Sequence, residues 1–211
     1  MRKELKEFLA SEDMILYLPR NYKTDIISQW MSCRNILHPP LNWFIIQFSK
    51  IIPKSSWTSA YYRLLLGMKI GKGVGFAQIY PDHLMPEGIE IGDYSAFGWK
   101  VSIFTHEFTQ HRQRYGKVKI GKNVLVGAFS IIRSGVSIGN NSIIAPYSCV
   151  IGDVPANEIW GGNPAFKIRN ISPLHKSIGL KRNTTNTNGS SLKANRENKK
   201  PKVVNLFKYT E

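Results

Sequence analysis

Branched aliphatic residues recur at every sixth position along residues 118–154. The residue four positions after each of them is Ser or Val. An α-helix would repeat its apolar positions every 3.6 residues and a flat strand every second residue, so neither explains this period. A short fixed period indicates a β-helix, in which each six-residue unit is a short strand with a tight turn and three units complete a coil. The aliphatic side chains are predicted to point into a narrow prism; they are Ile120, Val126, Ile132, Ile138, Ile144 and Val150.

The same phase continues upstream, with one unit beginning at Ile70 and two at Ile91. Two stretches break it, "YPDHLMPEG" at 80–88 and "THEFTQHRQRYGK" at 105–117. Interruptions of a coil stack are expected to be loops that leave a corner, and loops on a rigid scaffold often carry chemistry. Both are open to a plainer interpretation as tolerated insertions. The histidines of the second stretch favour a functional one.

The first 69 residues lack the six-residue period and predict helices. Thr24–Leu37 is predicted to be helical, with "HPP" ending it, and Ser55–Gly67 offers a cap, a helix and a glycine stop. Leu41–Ile52 is strongly apolar but too short to span a bilayer. Two interpretations stay open for this segment. It is a helical cap on the first coil, or the aromatic and basic residues of 41–66 contact a membrane surface.

The 29 Lys and Arg against 14 Asp and Glu give a net charge of +15. The tail of residues 171–211 is basic and polar, and it is predicted to be flexible. Dispersed basic residues without a stacking module argue against sequence-specific nucleic-acid binding. The two cysteines, Cys33 and Cys149, indicate neither a disulfide framework nor a metal site. A charged start without a secretory signal predicts a cytoplasmic protein, with a peripheral position at the inner membrane surface left open.

Three features together resemble the hexapeptide-repeat acyltransferases: the repeats, the "THE" that opens the second interruption, and "IWGGNPAFKIR" at 159–169. The branch that modifies sugars, with the maltose, galactoside and colanic acid O-acetyltransferases, is the most similar. The resemblance implies a mainly β fold, a left-handed parallel β-helix over residues 70–170, after the helical segment of residues 1–69. It also implies a homotrimer that binds acetyl-CoA between neighbouring prisms and acetylates a hydroxyl or amino group of a saccharide or a sugar-linked acceptor.

His106 matches the catalytic histidine of that family. A sugar hydroxyl is a weak nucleophile at neutral pH, and an imidazole can take its proton as it attacks the thioester and then protonate the leaving thiol. The resemblance implies no metal.

The residues that the resemblance places near the acetyl donor follow the repeats. Pro146 has no N–H, so an amide contact that the family makes at that position is lost or moved here. A lysine frequent in the family before the closing "DVP" is replaced by Gly152. The expected donor-binding residues are Gly127, Ala128, Ala145, Pro146, Lys167 and Arg169.

The acceptor side is expected in the first interruption, where Asp82, His83 and Glu87 either line the acceptor pocket or solvate their loop. Glu107 follows His106 directly, and alternation along an extended chain makes contact between the two side chains unfavourable.

Two other classes remain to be weighed. The five-residue spacing of His106 and His111 resembles a ligand pair of the zinc-dependent carbonic anhydrases of the same prism fold, but flanking glycines are missing. A non-catalytic scaffold is disfavoured by the intact His106. Within the acyltransferases, a serine acetyltransferase is disfavoured because its "DIHP" signature and long helical domain are absent.

Overall fold

The computed structural model describes residues 1–19, 33–35, 37–51, 55–109 and 112–171. Most of the predicted helix Thr24–Leu37, the side chain of His111 and the basic tail after Ile171 therefore lie outside the described residues.

Three α-helices and fifteen strands make up the described chain. The helices are α1 Lys3–Ala10, α2 His38–Ser49 and α3 Ser55–Leu66, and a 3₁₀ turn covers Pro86–Gly88. The strands are β1 Ile15–Pro19, β2 Lys69–Ile70, β3 Gly75–Pro81, β4 Ile89–Ile91, β5 Ala96–Ile103, β6 His106–Phe108, β7 Arg112–Gly116, β8 Val118–Ile120, β9 Leu125–Val126, β10 Ile131–Ile132, β11 Ser137–Ile138, β12 Ile143–Ile144, β13 Cys149–Val150, β14 Glu158–Gly161 and β15 Phe166–Asn170.

Parallel strands stack into the three faces of a prism. One face has the order β2-β4-β8-β11, a second has β3-β5-β10-β13, and the third runs from the start of β5 through β9 and β12 to β14. Ile120 pairs with Ile138, and Val126 with Ile144. Partners are thus three six-residue units apart, which confirms the coil predicted from the period.

The aliphatic ladder fills the prism. From Ile91 to Val150 its members are at most 3% exposed, as the sequence predicted. The serines at the fifth place of the unit are buried beside them, and their hydroxyls donate to backbone carbonyls: Ser130 to Ala145, Ser142 to Pro155 and Ser148 to Ala145. Buried hydroxyls are tolerated because each has such a partner.

The outward positions differ between the faces. On the β2-β4-β8-β11 face the paired outward residues are polar, namely Lys69, Glu90, Lys119 and Ser137. On the β9-β12-β14 face the corresponding residues are Leu125, Ile143 and Ile159, and Ile131 and Cys149 lie outward on the second face. Two faces of the prism therefore carry apolar outward residues, joined on the second face by Ser102, which pairs with Ile131, and one face is polar.

The second interruption is not a loop, and that expectation is corrected. β6 and β7 form an antiparallel hairpin, and β1 from the N-terminus adds a third strand beside β7. The pairing satisfies backbone groups that an irregular loop would leave to water. A second apolar cluster holds this sheet to α1 and to the first interruption; its members are Leu5, Phe8, Cys33, Leu84, Met85 and Tyr115.

A new helix, α2, begins at "HPP", and the chain just before it is not helical at Arg34 and Asn35. Pro39 and Pro40 lie in its first turn, where the missing N–H has no helical partner to lose. α3 ends before Gly67, whose φ of +66° fits the predicted glycine stop. Ile46 of α2 and Tyr62 of α3 join the same core as Ile70, so these helices cover the first coil. Among the helices in the described ranges, none combines the length and apolarity needed to cross a membrane.

Candidate active site

His106 opens the hairpin, and its imidazole is held by Asp82 from the preceding coil. Nδ1 of His106 lies 2.6 Å from Oδ2 of Asp82. The same oxygen accepts the backbone N–H of Thr105 at 2.8 Å and that of His106 at 3.1 Å. The other oxygen accepts the N–H of Leu84 at 2.8 Å. The carboxylate therefore fixes both the ring and the turn from which the hairpin leaves the prism.

The Asp82 side chain is fully buried, while that of His106 retains 15% exposure. Burial on its own would raise the pKa of Asp82. The hydrogen bond and charge of His106, with the amides of Thr105 and Leu84, outweigh it and lower the pKa to about 2. Asp82 is thus ionised at neutral pH and accepts a hydrogen bond from Nδ1–H of His106, which directs Nε2 away from the carboxylate.

The Asp82 side chain therefore contacts neither solvent nor an open pocket. This differs from the expectation that it solvates its loop or lines the acceptor pocket. Both of its oxygens are occupied by groups of this chain. Its role as partner of His106 was missed. The available signal was the parallel register of β3 with β5, which pairs Pro81 with Ile103 and brings the following residues together.

Aromatic rings surround the exposed side of His106. The His83 ring stands perpendicular to the His106 ring at 6.2 Å between centroids, and that of Phe108 lies at 5.4 Å. Burial lowers the pKa of His83; the negative charge of Asp82 partly opposes this effect, and His106 adds to it. The His83 ring therefore lies beside that of His106.

The Glu107 carboxylate is engaged away from His106, in agreement with alternation along the strand. Its oxygens accept from Nε of Arg133 at 2.9 Å and from Oγ of Ser134 at 2.7 Å. Burial would raise the pKa of Glu107, but Arg133, Ser134 and Arg114 lower it overall. These contacts tie β6 to the next coil and were not predicted from the sequence.

The N-terminal segment clamps the first interruption. Arg34 forms an ion pair with Glu87 and donates to the Leu84 carbonyl at 2.6 Å. Nδ2 of Asn42 in α2 donates to the carbonyl of His83 at 2.9 Å. Glu87, expected on the acceptor side or in solvent, is thus a partner of Arg34. The helices at the start of the chain help to position the segment that carries Asp82.

Four of the expected donor-binding residues meet at one corner of the prism. A Cβ placed on Gly127 would lie 2.4 Å from the nitrogen of Pro146 and 2.8 Å from the carbonyl carbon of Ala145, so the coils need glycine there. Ala128 lies in the same turn, against Gly98 of the preceding coil. Successive coils therefore bring Gly127, Ala128, Ala145 and Pro146 together, as the period requires.

Lys167 and Arg169 both lie on β15, which folds back antiparallel to β14. Nζ of Lys167 is 2.5 Å from Oε1 of Glu158, and this contact lowers the pKa of Glu158. Arg169 is exposed. Lys167 thus has an intramolecular carboxylate partner, which the sequence did not predict.

In the ranges that the structure describes, no three His, Cys, Asp or Glu side chains are grouped so as to hold a metal ion. His111, which the zinc alternative requires, is not among the described residues.

Comparison with known proteins is consistent with this architecture. Residues 117–152 match the bacterial transferase hexapeptide (six repeats) family. YvoF of Bacillus subtilis (strain 168), named as an acetyltransferase, is 37% identical over 124 residues, which are 58% of this chain and 72% of YvoF. The galactoside O-acetyltransferase of Escherichia coli (strain K12) is 38% identical over 77 residues, 36% of this chain and 38% of that enzyme.

Among solved structures, the hexapeptide-repeat acetyltransferase of Vibrio cholerae O1 biovar eltor, complexed with acetyl coenzyme A, has a TM-score of 0.52. It is 18% identical, and the match covers 81% of this chain and all of that one. The likeness of fold confirms the expected left-handed parallel β-helix. With the six-residue ladder, the three-unit coil and a relative matched over most of its length, the chain belongs to the hexapeptide-repeat acetyltransferase family.

Proposed function

We propose that this acetyltransferase moves an acetyl group from acetyl-CoA to a hydroxyl group of a saccharide or sugar-linked acceptor, with His106 as the general base. The observation that carries the proposal is the pair formed by Nδ1 of His106 and the buried, ionised Asp82 at 2.6 Å. A base of this kind must be held in one orientation and be reachable by substrate, and the geometry supports both requirements, since Asp82 holds Nδ1 and the side chain keeps 15% exposure.

The reaction follows from the tautomer. Nε2 of His106 takes the proton of the acceptor hydroxyl while that oxygen attacks the thioester carbonyl. The tetrahedral intermediate collapses with cleavage of the C–S bond, and the imidazolium returns the proton to the leaving sulfur. Asp82 stabilises the transient positive charge on the ring and stays ionised throughout.

Acetyl-CoA as donor is supported by the complex of the Vibrio cholerae neighbour. We place the pantetheine arm along the corner of Gly127, Ala128, Ala145 and Pro146, whose own side chains are short. The phosphates of CoA would lie against β15, where Arg169 is exposed. Lys167 would leave its contact with Glu158 and bind a phosphate instead.

A saccharide acceptor is supported by the name of the galactoside O-acetyltransferase relative. On the acceptor side His83 is the best-placed residue, since its ring stands beside that of His106. Asp82 and Glu87 act there through contacts within the chain, with His106 and Arg34.

We further propose a homotrimer. Each prism of a three-membered ring contacts two neighbours, and this prism has two faces with apolar outward residues and one with polar ones. Exposed Leu125 and Ile131 mark the two apolar faces. Packing them against neighbours would remove apolar surface from water and enclose the donor groove.

The proposal is tested by His106→Ala, with His111→Ala as the comparison, in an assay of CoA release from acetyl-CoA with sugars and nucleotide sugars as acceptors. We expect transfer to fall by roughly 10²–10⁴-fold in His106→Ala, the usual effect of losing a general base. His111→Ala should cost far less. Both variants should retain the wild-type circular dichroism spectrum.

Two outcomes would contradict the proposal. Undiminished transfer in His106→Ala would exclude this histidine as the base. Stoichiometric zinc in the wild type, lost equally from both variants, would instead favour the metal-ligand interpretation of the pair.

A further inference from the structure

α2 carries a second apolar stripe on the side away from the prism. The residues facing the prism are Pro39, Asn42, Ile46 and Ser49. The stripe consists of Leu41, Phe44 and Phe48 in the helix, with Leu37 and Ile51 just beyond its two ends; they are spaced alternately four and three residues apart, and each is 56–72% exposed. Such spacing puts these side chains along one side of the helix. A helix with one buried face and a second, fully apolar exposed face has an unpartnered surface that needs an explanation.

α3 extends this surface. Trp57 and Leu64, seven residues apart, are exposed on it, and Trp43 is exposed beside the stripe of α2. The Phe48 ring lies 6.2 Å from that of Tyr61 in α3, so the two helices meet where the stripe passes. Tryptophan and phenylalanine on adjacent short helices are typical of segments that insert into the interfacial region of a lipid layer.

The charge of this region is one-sided. No Asp or Glu occurs from Ile26 to Pro81, a stretch of 56 residues, while six Lys or Arg do. The stripe and α3 lie inside this acid-free stretch. Arg34 is already paired with Glu87, and Lys69 and Lys72 belong to the first coil. At α2 and α3 themselves the described cations are Lys50 and Arg63, and negatively charged lipid headgroups would meet them without facing any carboxylate of these helices.

A second copy of the chain fits the stripe less well. The four-three spacing is that of a coiled-coil seam, whose flanking positions usually carry complementary charges that set the register. Here the flanking positions hold His38, Pro40, Ile45 and Gln47, which offer no such pairs. α2 also spans only 12 residues, about 18 Å at 1.5 Å per residue, so it lies on a bilayer rather than crossing it.

We propose that the exposed faces of α2 and α3 form a docking surface for a membrane with anionic lipids. The surface is coupled to the candidate active site, since Asn42, between Leu41 and Trp43, donates to the carbonyl of His83. Docking by α2 therefore holds the segment that carries Asp82 close to the helix at the lipid surface. This inference concerns binding alone and stands whether or not His106 is the base.

The test is vesicle flotation of the full-length protein, with phosphatidylglycerol–phosphatidylcholine vesicles and with phosphatidylcholine vesicles alone. The variant Phe44→Glu/Phe48→Glu changes the stripe. The matched control, Phe166→Glu/Ile168→Glu, places the same two charges on exposed apolar positions of β15, after the last coil. Both variants keep the basic tail, so any attraction of the tail to anionic lipid is the same in the two proteins.

We expect the wild type and the β15 control to float with anionic vesicles, and less with phosphatidylcholine alone. The stripe variant should bind anionic vesicles roughly a hundredfold more weakly or worse, because two phenylalanine side chains can no longer leave water. Circular dichroism checks its fold.

The proposal is overturned if the wild type stays with the unbound protein, or if both variants bind as the wild type does. It is equally overturned if the wild type does not bind vesicles and the stripe variant has a lower molar mass than the wild type in light scattering without vesicles. That result would assign the stripe to an interface between copies.

Discussion

The carboxylate of Asp82 and the imidazole of His106 lie 2.6 Å apart although 24 residues separate them in the chain. Asp82 comes from the end of a strand in one coil and His106 from the start of a hairpin in the next, so the stacking of coils creates the pair. In the proposed reaction Asp82 acts on the reacting atoms only through His106, which would make it a positioning residue.

Asp82→Asn should therefore lower kcat by roughly 10²–10⁴-fold, because an amide no longer fixes the tautomer or stabilises the imidazolium. The KM for acetyl-CoA should change little, since the donor corner is formed by other coils. The decisive measurement is a double variant: Asp82→Asn added to His106→Ala should cause no further loss. A further large loss in the double variant would mean that Asp82 acts independently of His106.

Acid should remove part of the stability that the Asp82 carboxylate provides. Its pKa is about 2 in the folded chain against an ordinary value of 3.8, so folding favours the ionised form. This contribution, on the order of 2 kcal/mol, is present above about pH 4 and is lost as the pH falls from 4 towards 2. Urea unfolding across this range should show a steeper loss for the wild type than for Asp82→Asn. Parallel pH dependences in the two proteins would contradict the assignment.

The interior of the prism can be tested by neighbouring substitutions in β11. Ile138→Asn should destabilise the fold by about 4 kcal/mol, because it removes buried apolar surface and places an unsatisfied amide in the ladder. Ser137→Asn, one residue away and outward, should cost about 0.5 kcal/mol or less. Chemical denaturation of both variants measures the difference. Equal midpoints would show that the inward and outward positions are misassigned.

Period alone was sufficient to predict the prism. One aliphatic position in six sets both the inward residues and the 18-residue offset between partners such as Ile120 and Ile138. Because each unit repeats the same pattern, an ambiguous assignment of inward and outward residues in one unit is settled by the neighbouring units. The close approach of Gly127 and Pro146 follows from the same regularity, whereas their role in donor binding is implied by the family resemblance and stays a prediction.

The pairings that break the period were not predictable in this way. β1 joins β7 across nearly a hundred residues, and nothing in Ile15–Pro19 specifies that edge rather than another. Asp82 lies in an insertion that breaks the six-residue period. Its distance to His106 therefore depends on how many residues of the insertion belong to the coil, which the period does not specify. Its burial against Thr105 and Leu84 is a tertiary outcome that composition favours no more than exposure.

Assembly provides the last prediction, and it follows from the unequal faces of the prism. The wild type should have about three times the mass of the 24.0 kDa chain in light scattering at micromolar concentration. Leu125→Glu should dissociate it, because a carboxylate replaces an exposed apolar side chain on the face with Ile143 and Ile159. Ser137→Glu is the matched control: it adds the same charge to the polar face, directly opposite Lys119, and should leave the mass unchanged. The prediction is contradicted if the wild type has the mass of a monomer. It is also contradicted if both variants keep the mass of the assembly, because the apolar faces would then not form the contact between copies.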